Sequence, residues 1–68
     1  MDLIKVGACV QFVGRQFYGR VLGIEIRESG VQYHVAWWDG KTRNTQWLKS
    51  FEVKAKREKD VEKIGFHN

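Results

Sequence analysis

The chain has no proline, one cysteine and one methionine among its 68 residues. A lone Cys9 forms no internal disulfide, which excludes the disulfide-stapled secreted miniproteins common at this size. Cys9, His34 and His67 lack the paired spacing of a structural zinc site, so no metal is expected, and no cofactor either. Long hydrophobic runs are also missing. No stretch approaches the roughly 18 apolar residues of a membrane span. No apolar segment of about 7–15 residues follows Met1-Asp2-Leu3-Ile4-Lys5, so no signal peptide is expected. The expectation is a protein of a reducing, cytoplasmic compartment with no membrane partner.

What is present describes one small globular unit. A chain this short buries only about 60 % of its unfolded surface, so its core must be small. Hydrophobic residues at 43 % and charged residues at 29 % give a globular balance rather than a disordered one. Twelve Lys and Arg against eight Asp and Glu leave a net charge of +4, a basic surface suited to acidic partners. Nine aromatic residues, three of them Trp, exceed what so small a core needs.

Apolar residues recur with period two, the signature of strands. Ala8, Val10 and Phe12 alternate with Cys9 and Gln11 after a turn at Gly7, giving a short first strand. A second strand is expected over 17–27, with Phe17, Gly19 and Val21 on one face. Beyond Gly23 the apolar positions become Ile24 and Ile26, and a glycine at such a change of parity predicts a bulge or sharp bend. Glu28-Ser29-Gly30 reads as a hairpin turn. Over 31–38, Val31, Tyr33, Val35 and Trp37 share one face, and Gln32, His34, Ala36 and Trp38 the other. Asp39-Gly40 is the strongest hairpin signal, and a fourth strand follows over 42–47. Leu48-Lys49-Ser50 reads as a 3₁₀ turn and Phe51-Glu52-Val53 as a brief last strand.

Five short strands in about fifty residues predict a small barrel, since a flat sheet would leave its edges and one face bare. A five-stranded SH3-like barrel over 1–53 fits best. An OB-fold needs longer strands and a helix where this chain has only Asp39-Gly40-Lys41. The expected core is Val10, Phe12, Val21, Ile24, Tyr33, Val35, Trp37, Leu48, Phe51 and Val53. Residues 54–68 are expected as a charged C-terminal tail or short helix, docked through Val61 and Ile64. Its cations outnumber its acids by two over 54–63, which reads as a solvated face with an auxiliary phosphate contact as the alternative.

Val6-Gly7-x-x-Val10, Tyr18-Gly19-Arg20-Val21 and Tyr33-x-Val35-x-Trp37-x-Asp39-Gly40 together resemble the Tudor-like and KOW-like branch of SH3-like barrels. The closing Trp47-Leu48-x-x-Phe51-x-Val53 is similar to their final strand, 3₁₀ turn and short strand. The resemblance covers 6–53 and implies a barrel used for binding. The layout is also similar to the plasmid-encoded type II dihydrofolate reductases, oligomeric enzymes whose functional strand carries Val-Gln-Ile-Tyr. Thr45-Gln46-Trp47-Leu48 stands at that place and keeps only the glutamine.

No catalytic constellation is visible. Cys9 in an alternating strand reads as a small packing residue, His34 as a surface histidine and Asp39 as a turn residue. The aromatics outside the core carry more. Alternation puts Trp38 outward, where an exposed Trp marks a binding surface unless the tail covers it through Val61, Ile64 or Phe66. Tyr18 stands near Arg15 and Arg20, and Trp47 near Lys41 and Arg43. Cations meet phosphates and aromatic faces stack on unpaired bases, so these residues point to DNA or RNA, or to a nucleic-acid-associated or acidic protein. A monomer or small homo-oligomer is expected. An adaptor with an aromatic groove is the alternative. A methyl-lysine cage built from Tyr18, Trp38, Trp47 and Asp39 is one form of it, although a basic chain repels a basic peptide. A reductase of the type II kind is the distant third reading.

Overall fold

A computed structural model describes residues 2–63. In chain order the strands are β1 (Asp2–Ile4), β2 (Cys9–Phe12), β3 (Tyr18–Arg27), β4 (Gly30–Asp39), β5 (Thr42–Lys49), β6 (Val53–Ala55) and β7 (Val61–Lys63). Two 3₁₀ turns, Ser50–Glu52 and Glu58–Asp60, precede β6 and β7. The fold is all-β. Five strands form one antiparallel sheet in the order β5-β4-β3-β2-β6, while β1 and β7 pair separately. The hydrogen-bonded ladder does not close on itself, so β5 and β6 remain its edges.

The turns follow from sequence. Asp39 pairs with Thr42, leaving Gly40-Lys41 as a two-residue loop. Gly40 takes φ +64° and Lys41 does not enter the positive region, the pattern of a II′ hairpin with glycine at its first central position. The pairing of β3 with β4 slips between Val21 and Gly23, so the parity change is a bulge that leaves Leu22 unpaired. Val21 therefore faces the core while Leu22 is exposed.

Val10, Val21 and Val35 are the most completely buried side chains, joined by Phe12, Val31, Tyr33, Leu48 and Val53 from the expected alternation. Three expected core residues differ. Phe51 is 72 % exposed, because β5 stays paired with β4 as far as Lys49 and the 3₁₀ turn begins two residues later than expected. In that turn Phe51 projects outward, and Val53 takes the inward position at the start of β6. Trp37 is only partly buried, packed edge-to-face on Phe12 with centroids 5.2 Å apart. Ile24 is likewise partly buried against the core.

Among the described residues the C-terminal segment is strand, 3₁₀ turn and strand rather than the partly helical tail expected from its charge. Lys54 and Ala55 complete β6 beside β2, and after the second 3₁₀ turn Val61 pairs with Ile4. The apolar residues Leu3, Ile4 and Val61 pack on the core, which is why a charged stretch folds as strand here. Tyr33 anchors this small sheet from the core side, its hydroxyl accepting a 3.2 Å hydrogen bond from the Ile4 N–H. Ile64, Phe66 and His67 lie outside the described residues.

Candidate nucleic-acid interface

In an antiparallel ladder directly paired residues share a face. One face of β3–β5 packs on the core through Val21, Val35 and Leu48. The other carries cross-strand rows read from the register. Trp38 stands opposite Arg43, His34 opposite Trp47, and Arg20 opposite both Cys9 and Ala36. Tyr18, Arg20, Trp38 and Arg43 line one shallow groove on this face, floored by Cys9 and Ala36 and bordered by Leu22. Four of the seven predicted site residues thus come together.

Each is placed by a specific device. The II′ turn sets the register that brings Arg43 to Trp38. Gly19 lets β3 sink onto the core beside Tyr18 and Arg20. A Cβ there would lie 2.5 Å from Val35 Cγ1 and 2.8 Å from the Ala36 carbonyl oxygen. Arg20 is steadied by the Gly7 carbonyl, which accepts a 2.5 Å hydrogen bond from its Nη1. Trp38 is 66 % exposed, and no described apolar residue covers it, since Val61 packs on the core.

Trp47 lies on the same face but farther along β5, stacked on His34 rather than in the groove. Lys41 sits exposed in the β4–β5 turn. Arg15 goes elsewhere. It lines a second hollow with Phe17, Trp37, Phe51 and Glu52, at the core-facing side of the sheet. The loop before β3 and the far end of β5 do meet in that hollow, through Phe17, Gln46 and Leu48, but Trp47 is on the opposite face, so Arg15 and Trp47 do not share one surface.

Three residues of the face are not among those the sequence singled out for binding. Lys56 places its Nζ 4.1 Å from the centroid of the Tyr18 ring, a cation–π contact that edges the groove. His34 stacks beneath Trp47, and Cys9 floors the groove. The hairpin register alone pairs His34 with Trp47, so that signal was present. Lys56 was hidden because nothing local shows that residues 54–56 continue alongside β2. Asp39, offered as the acid of a methyl-lysine cage, does not line the groove; no carboxylate does among the described residues. Comparison with protein-family models, curated proteins and solved structures finds no match to this chain.

Proposed function

We propose that the chain is a non-enzymatic binding module, an SH3-like barrel of the Tudor or KOW type that contacts single-stranded nucleic acid through the outer face of β3–β5. The strand order β6-β2-β3-β4-β5, the bulged β3 and the 3₁₀ turn before β6 support that fold reading. One observation carries the functional reading. Trp38 stands exposed between Arg20 and Arg43 in a groove without a carboxylate.

Exposing an indole to water is unfavourable by the apolar area left wet, so a ligand that covers Trp38 gains that area on binding. An unpaired base offers a flat π-face for Trp38, and the flanking guanidiniums neutralise the phosphates on either side. Duplex ends offer few such faces, which favours single strands. The groove suits a methylated lysine poorly, since its cations repel the ligand and the anion that a cage uses is absent from its lining.

Titration with oligothymidylate and with duplex DNA of equal length at low salt tests the reading. The expected result is quenching of Trp38 emission and amide shifts along Tyr18–Leu22 and Ala36–Arg43, stronger for the single strand and weakening as salt rises. Absence of binding to any oligonucleotide at low salt returns the protein-adaptor reading.

A further inference from the structure

Beside the aromatic groove, and distinct from the Arg15 hollow, lies a hollow lined by Gly7, Cys9, Arg20, Lys56, Arg57 and Asp60. The two hollows share Cys9 and Arg20. Strand pairing explains the convergence. Arg20 is the cross-strand partner of Cys9 on one side, and on the other the Lys56 N–H donates to the Cys9 carbonyl. Two long cationic side chains therefore flank one short residue on adjacent strands, roughly 4.8 Å apart per step. The gap above Cys9 is open because its side chain is small. Arg57 follows directly and closes the third side.

The charge is one-sided. Among the described lining residues three cations face one carboxylate, Asp60, and none of the three forms an ion pair with it. The Gly7 carbonyl fixes the Arg20 guanidinium through Nη1, leaving its remaining N–H donors for another acceptor. Lys56 reaches from this hollow over Tyr18, so its ammonium stands where the two hollows meet.

We propose that Arg20, Lys56 and Arg57 form a phosphate-binding site contiguous with the aromatic groove. It holds a backbone phosphodiester of the strand whose neighbouring base lies on Trp38. The proposal rests on the nucleic-acid reading above and adds two features to it: the path of the strand, from β5 across β3 toward β6, and a binding role for residues of the C-terminal segment. The site takes a phosphodiester rather than a carboxylate peptide because a base-stacking surface adjoins it.

The lone cysteine makes the site readable. An oligothymidylate of about eight nucleotides is titrated into the parent and into Arg57→Gln, Lys56→Gln and Asp60→Asn, with alkylation of Cys9 followed alongside. Arg57→Gln and Lys56→Gln should each weaken binding roughly three- to tenfold at low salt and lower the log–log salt slope by about 0.7. Asp60→Asn should tighten binding, an increase that a merely structural role does not produce. The oligonucleotide should slow alkylation of Cys9 in the parent, and less so in Arg57→Gln. Circular dichroism of each variant checks the fold, and the gain in Asp60→Asn cannot arise from misfolding. If the oligonucleotide quenches Trp38 in the parent while all three variants bind like it and Cys9 stays fully reactive, the phosphate site is wrong and the groove stands. If the parent does not bind at low salt, both readings fall together.

Discussion

The imidazole of His34 lies flat against the indole of Trp47, their centroids 4.8 Å apart and their planes 11° from parallel. The two are cross-strand partners on the outer sheet face, and the indole also reaches within 4.0 Å of where a Gly23 side chain would begin. Trp47 thus closes over the β3 bulge, whereas Trp38 closes over nothing described. A stacked cross-strand pair contributes about 0.5–1.5 kcal/mol beyond its buried area.

The two outer tryptophans should therefore behave differently. Trp47→Ala should destabilise the fold by about 1–2 kcal/mol, while Trp38→Ala should stay within about 0.5 kcal/mol of the parent. Urea unfolding of both variants measures the contrast. Equal losses would make Trp38 a structural residue.

Tyr33 links the small β1–β7 sheet to the core through one buried hydrogen bond from the Ile4 N–H. Tyr33→Phe keeps the ring and leaves that donor without its partner, at a cost of about 1–3 kcal/mol. The effect should concentrate at β1 and β7, where amide exchange should speed up well before global unfolding. Uniform acceleration across β2–β5 instead would mean that the small sheet unfolds only with the rest.

Much of this architecture was legible from residue types. The alternation over Val31–Trp38, the glycine at the β3 parity change and the Asp39-Gly40 hairpin are local signals, and the register they set put Trp38 opposite Arg43. What failed to show was non-local. Phe51 looked inward because Phe51-Glu52-Val53 reads as the last strand, whereas Phe51 and Glu52 still belong to the 3₁₀ turn and the strand starts at Val53. The residues from Lys54 onward looked solvated because their strand pairing depends on partners far back in the chain, in β1 and β2. Arg15 was grouped with Tyr18 by sequence proximity, although the β2–β3 loop turns it to the other side of the sheet.

Gly19 shows how the core shapes the site. Gly19→Ala would set a Cβ 2.5 Å from Val35 Cγ1 and 2.8 Å from backbone oxygen, and backbone cannot yield as a flexible side chain does. The expected cost is about 1–3 kcal/mol, with β3 pushed off β4. Amide shifts at Tyr18, Arg20 and Ala36 should accompany the lower melting temperature. A variant that melts like the parent would show that β3 has room to shift there.

Arg43 and Trp38 face one another across β4 and β5, so any ligand that touches one passes the other, yet their contributions have different physics. A guanidinium that neutralises a phosphate releases a condensed counterion, and its contribution fades as salt rises. Stacking of a base on an indole releases none. Arg43→Gln should accordingly weaken oligothymidylate binding at low salt and lower the salt slope by about 0.7. Trp38→Ala should lose about 1–3 kcal/mol of binding at every salt concentration, with the slope nearly unchanged. At high salt the ranking separates further, because the Arg43 variant converges on the parent and the Trp38 variant does not. Both side chains are exposed, so both variants should melt with the parent. Parallel loss of slope in the two variants would mean that Trp38 acts by positioning Arg43 rather than by stacking.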